Sequence, residues 1–138
     1  MKNFSIKKHN KGFAISNLSL KQMILSSLAK DSQISFYEAD TAVECGLYYD
    51  SVLESFPVGT DGSTALSQIT CGNNVYSLDV SSVMDYLIYK QNVTDVSKPC
   101  SSIYFDKLSS PGTNVVQGRG YNICDSTPRQ VERALEVR

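Results

Sequence analysis

Between Asp31 and Tyr89 the chain has no lysine or arginine, and before Asp31 it has no aspartate or glutamate. It also lacks any run approaching the roughly 18 apolar residues that a membrane-spanning helix requires, so no membrane partner is expected. The single histidine, His9, cannot assemble a histidine cluster. Cys45, Cys71, Cys100 and Cys124 stand 26, 29 and 24 residues apart, without the close pairing of zinc or redox motifs. Neither a metal nor a cofactor is expected. There is no Gly-x-Ser-x-Gly elbow, and a serine triad would have to recruit His9. The opening Met-Lys-Asn-Phe-Ser-Ile-Lys-Lys-His-Asn lacks the apolar core of a secretory signal, which predicts a cytosolic location. Reduced, packed thiols follow from that location, although an even count is also compatible with two bridges.

What is present is segregated charge. Lys2, Lys7, Lys8, Lys11, Lys21 and Lys30 fill the first segment. The cation-free run of 59 residues then holds Asp31, Glu38, Asp40, Glu44, Asp50, Glu54, Asp61, Asp79 and Asp85. From Lys90 onward seven cations face five acids, so the formal net charge of −1 conceals strong local imbalance. Such asymmetry constrains partners more than chemistry. The acidic run is either solvated, neutralised by the basic segment, or a docking surface. Exposed ion pairs contribute only about 0–1 kcal/mol each, so neutralisation alone would not explain the segregation. Nucleic acid is disfavoured as a partner, because the acidic middle repels the backbone that the lysines attract.

With 138 residues, 41% apolar and 20% charged, the chain reads as one soluble globular domain over residues 1–138. Phe4–Lys7 and Phe13–Ser16 alternate around His9-Asn10-Lys11-Gly12, predicting an N-terminal hairpin. Ser19 and Gln22 form a capping box for a helix carrying Leu20, Met23, Ile24 and Leu28 up to about Lys30. Ile34–Tyr37 reads as a strand. Thr41 with Glu44 caps a second helix, whose Ala42, Cys45, Tyr49, Val52, Leu53 and Phe56 share one arc; the competing reading makes Val52–Val58 a strand. Gly59–Ser63 reads as a loop, and Ser67–Cys71 with Val75–Leu78 as a hairpin across Gly72-Asn73-Asn74. Ser82 and Asp85 begin a third helix with Val83, Met84, Leu87 and Ile88. Asn92-Val93-Thr94 matches a glycosylation sequon, which a cytosolic location would make a coincidence. Ser102–Lys107 and Asn114–Gln117 bracket Ser109-Ser110-Pro111-Gly112 as a third hairpin. Thr127, Pro128 and Gln130 start a last helix with Val131, Ala134 and Leu135. The expected class is α+β, helices packed on a largely antiparallel sheet.

Gly118-Arg119-Gly120 is either a bulge in an edge strand or a loop that lets backbone N–H groups approach an anion. Cys124, just before the expected last helix, is either a half-buried thiol or one activated by the dipole and Arg129. The candidate binding surface is Glu44, Leu47, Tyr48, Asp50 and Glu54, acids edged by an aromatic anchor that suit a basic protein surface. The same stretch carries a family resemblance. Gly46-Leu47-Tyr48, followed by Glu54-Ser55-Phe56-Pro57-Val58, resembles a segment of small phage proteins that includes S-adenosylmethionine-degrading lyases, over about 13 residues of the 138. The resemblance implies a trimeric, GlnB-like α/β sandwich with active sites between subunits. It also implies catalytic roles for Tyr48 and Glu54, as a substrate contact and a carboxylate near the sulfonium. Two functions are therefore expected in parallel. One is a small cytosolic inhibitor-type binding protein that engages a basic partner. The other is an oligomeric lyase that takes a small cationic substrate and releases 5′-methylthioadenosine.

Overall fold

The computed structural model describes residues 2–55, 64–79, 87–106 and 115–138, with the side chains of residues 2–16 excepted. The chain divides into two compact units, Met1–Asp31 and Ser32–Arg138. A single helix, α1 (Lys2–Leu47), contributes to both, and a π-helical turn, Tyr48–Val52, continues it. The expected N-terminal hairpin is therefore helix, as is the expected strand Ile34–Tyr37. Two isolated strands are marginal in water, whereas a helix satisfies its backbone groups within itself. Thr41 caps nothing: its hydroxyl donates to the Tyr37 carbonyl at 2.9 Å, one turn back in the same helix.

The second unit is α+β. Six strands follow the helix: β1 (Gln68–Cys71), β2 (Asn74–Leu78), β3 (Leu87–Gln91), β4 (Cys100–Asp106), β5 (Val115–Tyr121) and β6 (Glu132–Val137). They form one sheet in sequence order, every neighbouring pair antiparallel. The hairpin turning at Gly72 (φ +60°) and the β4–β5 pairing match expectation, the latter's turn at 109–112 lying outside the described residues. Leu87 and Ile88 belong to strand β3 rather than to a helix, while residues 80–86 and 56–63 lie outside the described residues. The expected last helix is strand β6. Gln130 N–H closes a turn onto the Thr127 carbonyl at 2.9 Å, so the Thr127-Pro128-Arg129-Gln130 pattern builds a single turn. The segment after it pairs with β5 from Val116 to Tyr121.

One face of the sheet packs on the helix. Ile69, Tyr76, Tyr89, Ile103, Phe105 and Val116 are all 2% exposed or less, and Ala42 and Cys45 complete the cluster. Tyr89 meets Phe105 edge-on at 5.7 Å and donates its hydroxyl to the Leu66 carbonyl at 2.6 Å. The Tyr76 hydroxyl pairs with Ser101 Oγ at 2.8 Å; Ser101 donates on to Gln91 Oε1, and Gln91 Nε2 donates to Asn74 Oδ1. Among the described residues, no buried side-chain polar atom lacks a partner, as burial of polar groups demands.

The helix presents a small face, Ser35, Ala39, Ala42 and Gly46, all buried. Opposite it, Val116, Gly118 and Gly120 occupy alternate positions on β5. A Cβ at Gly118 would stand 2.7 Å from both Val43 Cγ2 and Val43 N, and one at Gly46 would stand 2.6 Å from Val116 Cγ1. Gly118-Arg119-Gly120 is thus neither an edge bulge nor a loop. It lies within an interior strand, where missing side chains admit the helix backbone.

All four cysteines are bridged, Cys45 to Cys71 and Cys100 to Cys124, with Cα separations of 5.9 and 6.1 Å. This corrects the expectation of free thiols and removes Cys124 as a nucleophile. Spacing along the chain carries no information on Cα proximity, which the fold supplies.

Candidate functional site

The expected surface lies at the carboxyl end of α1. Glu44 is on the exposed side of the helix, while Leu47 turns inward and packs against the core. Tyr48 opens the π-helical turn with 51% of its surface exposed and its ring edge-on to Tyr49 at 5.9 Å. Tyr49 fixes this turn to β1, because its hydroxyl donates to the Thr70 carbonyl and accepts from Thr70 N–H, both at 3.0 Å. Asp50 is half-buried and Glu54 exposed. Glu54 has φ +48°, with Leu53 N–H on the Tyr48 carbonyl and Ser55 N–H on the Tyr49 carbonyl. Glycine commonly occupies that left-handed position at a helix end, and a side chain there costs about 1 kcal/mol. The structure thus brings Glu44, Tyr48 and Glu54 to the surface of one helix end, sets Asp50 partly in, and assigns Leu47 to packing.

A second feature is apolar. Leu18, Leu20, Met23, Ile24, Leu25 and Leu28 of the first unit are between 52% and 69% exposed. At 100° per residue they span an arc of about 220°, with Ser19, Gln22, Ser26 and Lys30 on the opposite side. Capping and periodicity show the apolar positions of this helix; its exposure is not legible from them.

The third feature is the sheet face turned away from α1. Tyr104, Asp106, Val115, Gln117, Arg119, Glu136 and Arg138 line a hollow of about 370 Å³. The Arg119 guanidinium lies 4.3 Å from the Tyr104 ring centroid, donates to Gln117 Oε1 at 2.9 Å and stands 3.7 Å from Glu132. Arg138 pairs with Glu136 at 2.8 Å. Nearby, Lys90 pairs with Asp79 at 2.7 Å, and that bond holds its ammonium above the ordinary range. Burial pushes the Tyr121 hydroxyl upward. The guanidinium groups each have a carboxylate neighbour, so the hollow is zwitterionic with an aromatic floor. Sequence reasoning missed it, although the alternation Gln117, Arg119, Tyr121 against Val116, Gly118, Gly120 is its signal. No family model, curated protein or solved structure matches the chain.

Proposed function

We propose that the protein is a non-catalytic binding subunit that assembles with further copies of its own chain. The observation that carries this reading is the exposed apolar arc of Leu18, Leu20, Met23, Ile24, Leu25 and Leu28. Half-exposed side chains of this size gain roughly 1 kcal/mol each on burial, and contiguous apolar patches mark interaction sites. Charge supports the choice of partner. The first unit has six lysines and one aspartate, whereas the second has seven cations and thirteen acids. The basic surface that would suit Glu44, Tyr48, Asp50 and Glu54 is then the lysine-rich segment of another copy. Two bridges favour an oxidising compartment over the cytosol. No described helix is long and apolar enough to cross a membrane.

Light scattering across a concentration series tests the assembly. The wild-type mass should rise with concentration. Leu20→Lys with Ile24→Lys should remain monomeric with an unchanged melting temperature, and reversal of Glu44, Asp50 and Glu54 to lysine should weaken association. A wild-type chain that stays monomeric throughout ends this reading. The lyase is the second reading, favoured by the joint exposure of the Tyr48 ring and the Glu54 carboxylate, which are apt neighbours for a sulfonium. Incubation with S-adenosylmethionine should then release 5′-methylthioadenosine, and a Glu54→Gln chain should not.

A further inference from the structure

The loop between β3 and β4 holds a feature that neither assembly nor lyase chemistry uses. Asn92-Val93-Thr94 begins directly after β3, with Asn92 and Thr94 both exposed. Asn92 is held by its other groups. Its backbone N–H donates to the Val75 carbonyl at 2.8 Å, and its Oδ1 accepts from Ser77 Oγ at 2.9 Å. The carboxamide is therefore anchored through oxygen, and among the described residues its nitrogen donates to none. The loop itself is set by the Asp95–Ser97 turn and by Cys124 N–H on the Val96 carbonyl at 2.8 Å. It enters β4 at Cys100, bridged to Cys124.

Two further matches to the pattern, Asn3-Phe4-Ser5 and Asn17-Leu18-Ser19, lie within α1. Transfer requires the hydroxyl two residues on to reach the acceptor amide, a geometry that loops provide and helical backbone does not. Asn17 also flanks Leu18 and Leu20, where an oligosaccharide would cover the apolar arc. Position and backbone thus separate one sequon from the other two.

We propose that Asn92 is an N-glycan acceptor, modified by transfer from a lipid-pyrophosphate-linked oligosaccharide. The inference rests on the oxidising compartment that the bridges favour. In the step, Asn92 Nδ2 bonds to the anomeric carbon, the carbon–oxygen bond to pyrophosphate breaks, the lipid pyrophosphate leaves, and the amide proton passes to a base of the transferase. The Ser77–Oδ1 bond survives, since only the nitrogen is substituted. The glycan adds bulk and hydration at the surface between β3 and β4.

The full chain, exported through a secretory pathway that has an oligosaccharyl transferase, tests this by intact mass and by peptide mapping without reduction. The expected result is both bridges together with a mass shift of one oligosaccharide. Asn92→Gln and Thr94→Ala should each lose that shift, Asn17→Gln should keep it, and enzymatic release should leave aspartate at 92. An exported, fully bridged chain with unmodified Asn92, or with its glycan at Asn17, overturns the site. An exported chain that stays reduced overturns the compartment and the proposal with it, leaving self-assembly to its own test.

Discussion

At the scale of single residues, titration distinguishes groups that the fold opposes from those it favours. Burial holds the Glu38 carboxyl above its ordinary value of 4.5, whereas a bond from Ser97 holds Asp95, and one from Thr127 holds Asp125, below 3.8. The signs differ. A raised carboxyl binds its proton more readily in the folded state, so stability falls as pH rises from about 4.5 through its folded value. The two aspartates act oppositely, and their contribution disappears as pH drops through values below 3.8. Glu38→Gln removes the first effect alone. Its melting temperature should exceed that of the wild type at pH 7, by the equivalent of about 1 kcal/mol or less for a partly solvated group. The two curves should meet near pH 4. A variant less stable at pH 7 would show that the carboxylate makes a net favourable contact.

At the scale of elements, the closest fit is between α1 and β5. Gly118→Ala and Gly120→Ala each place a methyl against helix backbone, the first 2.7 Å from Val43 N and the second against the Ser35 carbonyl and Ala39 N. Overpacking of this kind costs about 1–3 kcal/mol or more, because a helix backbone cannot yield as a side chain does. Gly72→Ala is the control: it has φ +60° and nothing within 4 Å, so only the left-handed backbone opposes it, at about 1 kcal/mol. Denaturant midpoints of the three variants should rank accordingly, and an equal loss in all three would remove the close-packing account. The same interface shows why sequence was a partial guide. The β1–β2 and β4–β5 hairpins were legible, because alternation and turn residues are local. Ile34-Ser35-Phe36-Tyr37 has strand composition, yet Ser35 is buried among small helix residues while Phe36 and Tyr37 are exposed. Tertiary packing overrides propensity there. The helical arc set Glu44 and Glu54 correctly on the surface. It also put Val52 and Leu53 on the core side, but these are 65% and 49% exposed because the helix gives way to a π-helical turn at Tyr48. The Glu54 backbone, the bridges and the Tyr104–Arg119 hollow depend on residues far apart in the chain.

At the scale of the molecule, two bridges and two oppositely charged units make separable predictions. Closing loops with sequence separations of 26 and 24 residues should contribute roughly 3–4 kcal/mol per bridge by restricting the unfolded chain. Peptide mapping without reduction should recover the Cys45–Cys71 and Cys100–Cys124 pairs, and reduction should lower the melting temperature. Free thiols in the mature protein would restore the cytosolic expectation. Assembly separates by salt. Attraction between the lysine-rich segment of one copy and the acidic surface of another is screened over a Debye length of about 10 Å at 0.1 M and 3 Å at 1 M. Burial of the Leu20–Ile24 arc is not screened, and excluded salts such as sulfate strengthen it. If charge selects the partner, sedimentation between about 0.05 and 0.5 M sodium chloride should show self-association weakening on the order of tenfold. Leu20→Lys with Ile24→Lys should stay monomeric over the same range. If association instead strengthens with salt, the apolar arc alone drives it. The acids around Tyr48 are then a solvated face, and the segregated charge must serve a different partner.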